Sequence, residues 1–200
     1  MHRLILASQS PRRRDLLLEA GFQFTVDPIE VSEIIDQNLN LEAAVLDLAK
    51  RKAVASADRD KYRATKGFLI LGADTVVSLD GDVLGKPKNF IEATQFLRRL
   101  SGRTHSVITG IYALESALGR GDGEAVVSSV TFRNLTDSEI EAYVRGGEPM
   151  DKAGAYAIQG EGRKFVSKFE GSWSNVVGLP MEALESLLSR NGWNIDRKKS

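Results

Sequence analysis

The chain has no cysteine, only two histidines and five prolines in 200 residues, and no net charge, with 27 Lys and Arg against 27 Asp and Glu. Each scarcity removes a class of chemistry. Without cysteine there is no disulfide, iron–sulfur cluster or thiol nucleophile, and the composition reads as that of a reducing compartment, the cytoplasm by default. With His2 and His105 alone, zinc sites and Ser-His-Asp triads are poorly supported. Balanced charge offers no basic field for nucleic acid or for an anionic membrane. The N-terminal apolar patch Leu4-Ile5-Leu6-Ala7 is far too short to span a bilayer and runs into Ser-Gln-Ser-Pro-Arg-Arg-Arg, the wrong order for a signal peptide. There is no internal repeat or low-complexity segment. What is present is 42% hydrophobic content, enough for the core of one domain or two closely joined lobes.

The most informative stretch runs from Phe68 to Pro87. Phe68, Leu69, Ile70, Leu71, Val76, Val77 and Leu79 form a nearly unbroken β-prone run, which predicts a strand covered on both faces. Asp74 interrupts it. An unpaired carboxylate in such surroundings costs several kcal/mol, so a cation or a hydrogen-bond network must hold it. Two readings stay open: a metal- or water-binding acid lining a cleft, or a structural Asp bonded to backbone amides near Gly72. Asp80-Gly81 reads as a type I′ hairpin turn leading to Gly85-Lys86-Pro87.

Earlier in the chain, Leu4–Ala7 reads as a strand, and Ser8-Gln9-Ser10-Pro11 opens a helix, with Ser10 as cap, Pro11 in the first helical position and Gly21 past the end. Arg12, Arg13 and Arg14 crowd the first turn, where the helix dipole is already positive. The crowding makes sense if Arg12 and Arg13 face an anion such as phosphate at the turn, while Arg14 points into solvent. Phe22–Pro28 reads as a second strand, followed by a loop that carries Glu33 and Asp36. The helix expected from Leu41 to about Ala57 places Leu41, Val45, Leu48 and Ala49 on one face, with Lys52 on the same stripe and Lys50 and Arg51 off it. Lys52 either snorkels outward or meets an anion inside. Asp58–Gly67 reads as an exposed connection.

Beyond Pro87 the sequence predicts a helix opened by Asn89 and Glu92, and a strand Thr104–Leu114 in which His105 is a hydrogen-bonded structural residue. Gly119–Glu124 reads as a hairpin loop, since it lacks the spacing of a dinucleotide fingerprint, and Glu124–Leu135 as the returning strand. Thr136 and Glu139 form a capping box for a helix that ends at Gly146-Gly147. Asp151–Gly160 and Gly171–Pro180 combine small residues with an aromatic and an amide. Their glycines either admit a flat ligand, with Gln159 or Asn175 pairing to a base edge, or simply make turns. A final helix starts at Pro180, and the tail from about residue 192 is expected to fray.

Together the segments SxSPRR, LAxxKA, GADTVV, GKP, SGRTHSVITG, EPMDKAGAYAIQG and NVVGLP resemble the Maf family, also called septum formation inhibitors, over Ile5 to about Leu188. The resemblance implies a single domain over residues 1–200 with an elongated α/β fold. That fold has a mixed, twisted sheet flanked by helices and two lobes around a central cleft, similar to inosine triphosphate pyrophosphatases. It also implies hydrolysis of a nucleoside triphosphate to the monophosphate and pyrophosphate, dependent on a divalent metal, magnesium or else manganese or cobalt, and a homodimer. Carried onto this chain, Asp74 is the catalytic base or water-orienting group and Lys52 its companion. Ser8, Arg12, Arg13 and Lys86 are substrate contacts, and Glu33 joins Asp74 as a metal-linked acid. Gln159 and the NVVGLP segment look like the branch acting on dTTP and UTP, although Ala157 stands where many relatives have Gly and Trp173 where Tyr is common. The alternatives are an inosine or xanthosine triphosphate pyrophosphatase with a purine pocket, and a non-catalytic nucleotide-binding regulator of cell division. A sequence-independent RNA binder fits poorly, because the basic residues are dispersed and no stacking platform accompanies them.

Overall fold

A computed structural model describes residues 1–34, 36, 38–63 and 65–198. In chain order the elements are β1 (Arg3–Leu6), α1 (Pro11–Glu19), β2 (Phe24–Val26), α2 (Leu41–Ala57), α3 (Asp60–Arg63), β3 (Phe68–Leu79), β4 (Asp82–Leu84), α4 (Phe90–Leu100), β5 (Thr104–Glu115), β6 (Arg120–Phe132), α5 (Asp137–Arg145), β7 (Val166–Glu170), α6 (Trp173–Val177) and α7 (Met181–Arg190), with three short 3₁₀ turns between α5 and β7. The seven strands make one mixed sheet in the order β2-β1-β3-β5-β6-β7, with β4 paired to β3. β1 runs parallel to both β2 and β3, whereas β4 is antiparallel to β3 and β7 to β6. No helix among the described residues is long and apolar enough to cross a membrane.

The chain divides into two compact units. The first comprises Met1–Asp74, Thr109–Val126 and Gly178–Ser200, and the second Thr75–Ile108 and Val127–Val177. In the first, β1 and the start of β3 pair from Arg3↔Phe68 to Leu6↔Leu71, and from Leu4↔Leu69 onward their side chains are buried on both faces, as the unbroken apolar runs require. Helix α2 lies close against β3 and β5 because two glycines let it. A β-carbon at Gly72 would collide with the Ala49 carbonyl, and one at Gly110 would stand 2.6 Å from the Val45 carbonyl. The second unit is built around rings. Phe132, His105, Tyr156, Phe165 and Tyr143 meet edge-on or tilted with centroids 4.8–5.8 Å apart, which is the favoured geometry for aromatic quadrupoles.

Local signals account for most boundaries. Asn40 caps α2 and Asn89 caps α4 through their side-chain oxygens, and Thr136 with Glu139 closes both halves of a capping box on α5. Asp80 and Gly81 both have positive φ, 54° and 89°, as a type I′ turn demands. Three expectations are corrected. Gly119–Glu124 is not a loop: the turn is Ser116–Gly119, and Arg120 already belongs to β6. Asp58–Gly67 contains the one-turn helix α3, whose Tyr62 is buried and donates to Asp27, itself bound by Arg59 and Lys61. The expected frayed tail is held through Lys198. Trp193 is buried, His2 and Phe22 bridge to Ile195 and Arg197, and the Lys198 amide donates to the Gly21 carbonyl. Residues 199–200 lie outside the described residues. In each case polar residues are ordered by a long-range partner that local periodicity does not reveal.

Candidate active site

Asp74 sits inside β3, in the stretch after β1 has left the ladder at Leu71 and before β4 joins it at Val77. Its side chain is 14% exposed and meets Lys52, 11% exposed, with Nζ 2.5 Å from the Asp74 Oδ1. The same ammonium donates to Glu33 Oε1 at 3.2 Å. Asp74 is thus held by a lysine ammonium, a partner that neither of its two readings named and that leaves both open. Of the two readings of Lys52, the structure supplies the anion. The close seat of α2 on Gly72 carries Lys52 to this strand, since both features belong to one helix–strand contact.

Glu33 is 65% exposed and lies on a loop, so something must hold that loop over the lysine. Arg51 does so. From α2 its guanidinium donates to the carbonyls of Ser32 at 2.6 Å and Ile34 at 2.8 Å, on either side of Glu33, and also pairs with Asp47. Sequence reading placed Arg51 off the buried stripe, which is correct, and missed its role, because a loop carbonyl leaves no mark on helical periodicity. Ile35 and Gln37 of this loop lie outside the described residues.

The arginine-rich turn divides its labour. Arg14 is exposed, as expected, and pairs with its neighbour Asp15 at 3.0 Å. Arg13 is buried, 9% exposed, and donates to Ser8 Oγ at 2.9 Å, the Ala73 carbonyl at 3.0 Å and the Gly178 carbonyl at 2.8 Å. It therefore ties the β1–α1 turn to the residue preceding Asp74 and to the turn before α7. Burial lowers its pKa; Asp74 opposes that and Arg12 reinforces it, so the three charges share one field. Ser8 is buried and also accepts from the Ser10 amide at 3.3 Å, while Arg12 is half-buried. The structure thus brings Ser8, Arg13, Lys52, Asp74 and Glu33 into linked contacts within the first unit.

Lys86 and Gln159 belong to the second unit, where both are exposed. Lys86 lies between β4 and the buried Pro87, and Gln159 follows the buried Ile158 in a turn-rich loop. Asn175, the other amide considered for a base edge, is fully buried and donates to the Val107 carbonyl and Ser128 Oγ, a structural role. The second unit also holds a recess of about 240 Å³ lined by Ile158, Arg163, Val166, Ser167, Lys168, Phe169 and Trp173, none of them a predicted site residue.

Comparison with known proteins resolves what kind of chain carries this arrangement. The profile of the family described as Maf-like protein matches residues 3–191. The chain belongs to the Maf family. A relative from Bdellovibrio bacteriovorus named dTTP/UTP pyrophosphatase is 49% identical over 94% of this chain and 97% of its own length. Relatives of the same name from Moorella thermoacetica and Desulfitobacterium hafniense are 46% and 49% identical, covering 98% and 93% of this chain and 98% and 84% of theirs. Against these Maf proteins the match is nearly end to end.

Two carboxylates sharing one ammonium also bear on a metal. Among the described residues no group of three or more His, Cys, Asp or Glu could hold an ion. Glu33 and Asp74 offer hard oxygen donors, and magnesium is commonly held by one or two carboxylates together with water and substrate phosphates. The donor set fits such an ion and not a thiolate- or imidazole-bound one.

Proposed function

We propose that this Maf protein hydrolyses dTTP and UTP, and modified pyrimidine nucleotides of the same shape, to the monophosphate and pyrophosphate, removing them from the nucleotide pool. The observation carrying this reading is the partly buried Asp74–Lys52–Glu33 cluster in a chain that aligns almost end to end with dTTP/UTP pyrophosphatases. Asp74 accepts the proton of a water that attacks the α-phosphorus, the bond from that phosphorus to the bridging oxygen breaks, and the electron pair leaves with pyrophosphate. Lys52 holds the Asp74 carboxylate in place through their 2.5 Å ion pair. Ser8, Arg12 and Lys86 bind phosphate oxygens, with Arg13 supporting the Ser8 turn, and Gln159 reads the base. Glu33 and Asp74 would hold a magnesium ion, which neutralises phosphate charge when bound. By the family's pattern we take the protein to be a single cytoplasmic Maf-like domain that works as a homodimer.

A panel of pyrimidine and purine nucleoside triphosphates with magnesium, scored for pyrophosphate release, tests the reading. dTTP and UTP should be the best substrates. Inosine or xanthosine triphosphate as the best substrate would replace the pyrimidine assignment, and tight binding without turnover under any divalent metal would make the protein a sensor. Asp74→Asn should cut kcat about 10³-fold or more while dTTP binding, read by calorimetry, persists. Full activity in that variant would remove Asp74 from the chemistry.

A further inference from the structure

The loop bearing Gln159 is anchored on both sides of that residue, and both anchors converge on Glu148. Upstream, the Ala157 amide donates to the Tyr143 hydroxyl at 3.1 Å, and that hydroxyl donates to Glu148 Oε1 at 2.8 Å. Downstream, the amides of Glu161 and Gly162 donate to the two Glu148 oxygens at 3.1 and 3.2 Å. Gly160, the residue after Gln159, has no room for a side chain, since a β-carbon there would stand 2.5 Å from both carboxylate oxygens. The loop's own turn bond, from the Gly160 amide to the Ala157 carbonyl, is long at 3.4 Å. The loop is therefore closed mainly by a carboxylate from outside it.

Burial works to raise the Glu148 pKa, and the Tyr143 hydroxyl, the two amides and Lys152 outweigh it, so the group stays ionised at neutral pH. Lys152 also donates to the Glu148 main-chain carbonyl at 2.7 Å, fixing the turn that presents the carboxylate. Gln159 itself is exposed on a flexible side chain, so only its backbone anchor determines where its amide can point.

We infer that Glu148 and Tyr143 are a positioning pair that sets the Gln159 loop, and thereby the selectivity for a pyrimidine base, without either residue touching substrate. The inference rests on the reading that Gln159 contacts the base. Its prediction is that Glu148→Gln and Tyr143→Phe raise KM for dTTP about tenfold, leave kcat within about twofold, and narrow the preference for dTTP over dGTP. Amide hydrogen exchange at Ala157, Glu161 and Gly162 should quicken in Glu148→Gln while the melting temperature of Tyr143→Phe stays near that of the parent. In the double variant Glu148→Gln/Gln159→Ala the two selectivity losses should fail to add, because both act through one contact. If Gln159→Ala responds and neither Glu148→Gln nor Tyr143→Phe does, the positioning role is wrong. If Gln159→Ala leaves selectivity intact, the base reading fails and the inference falls with it. An equal loss of activity on every nucleotide, with unchanged exchange, would mark a merely structural pair.

Discussion

The two units bury polarity in opposite ways. In the first, Lys52 and Asp74 carry charge into a strand-and-helix contact and keep it by pairing opposite signs, with the exposed Glu33 adding a second carboxylate to the same ammonium. In the second, His105 is buried in an aromatic cluster with the Tyr156 hydroxyl, 2.8 Å away, as a ring partner, and burial pushes its pKa down to about 4. The difference teaches how each kind of site behaves. A charged cluster can exchange its partners for a substrate's phosphates or a metal, whereas a buried neutral ring resists charge and serves the core.

The sharpest way to break this comparison is to remove one member of the charged cluster. Lys52→Met should cost about 4 kcal/mol of stability by leaving Asp74 unpaired, and should lower turnover as well. Asp74→Leu added to it should recover much of the stability and none of the activity, as read by urea unfolding beside pyrophosphate release. A Lys52→Met cost no larger than a surface change would mean the cluster is not held by pairing.

The neutral side is tested by pH. Unfolded His105 takes up a proton near 6.5 and folded His105 only near 4, so in that window the unfolded state binds more protons. Stability from the neutral ring is complete above pH 6.5 and declines as pH falls toward 4, by about 3 kcal/mol. His105→Gln should flatten that part of the pH profile of urea unfolding, and an identical profile in the variant would place the acid sensitivity elsewhere. At the small end, Arg14→Ala should change stability by less than about 0.5 kcal/mol, since the pair with Asp15 is exposed on both sides.

Much of the site could be read from residue order. Asp74 stands out because a double-faced apolar strand makes any acid conspicuous, and Lys52 because it falls on the apolar stripe of α2. Arg13 was harder. Its position in the first turn of a helix suggests an anion, yet its guanidinium meets the Ser8 hydroxyl and the carbonyls of Ala73 and Gly178, the last 165 residues away in sequence. Carbonyl acceptors exist at every position and so give no compositional signal. The same reason hid Arg51 beneath the Glu33 loop, and backbone amide donors, equally present at almost every position, hid Glu148 beneath the loop of Gln159. The signal that was available lay in the glycines at 72 and 160, where only close approach of another group explains the missing side chain.

By itself the order of residues determined most of the strands and helices, the caps of α4 and α5, the tight turn at Asp80-Gly81 and the family to which the chain belongs, because these depend on neighbours a few positions apart and on motif spacing. Only the tertiary structure decided which cation meets which acid, which arginine serves carbonyls instead of solvent, and that the C-terminal residues through Lys198 are held against Gly21 and Phe22. Those outcomes are contacts across tens to nearly two hundred residues. They are set by how closely backbone can approach backbone and by the need of every buried polar group for a partner.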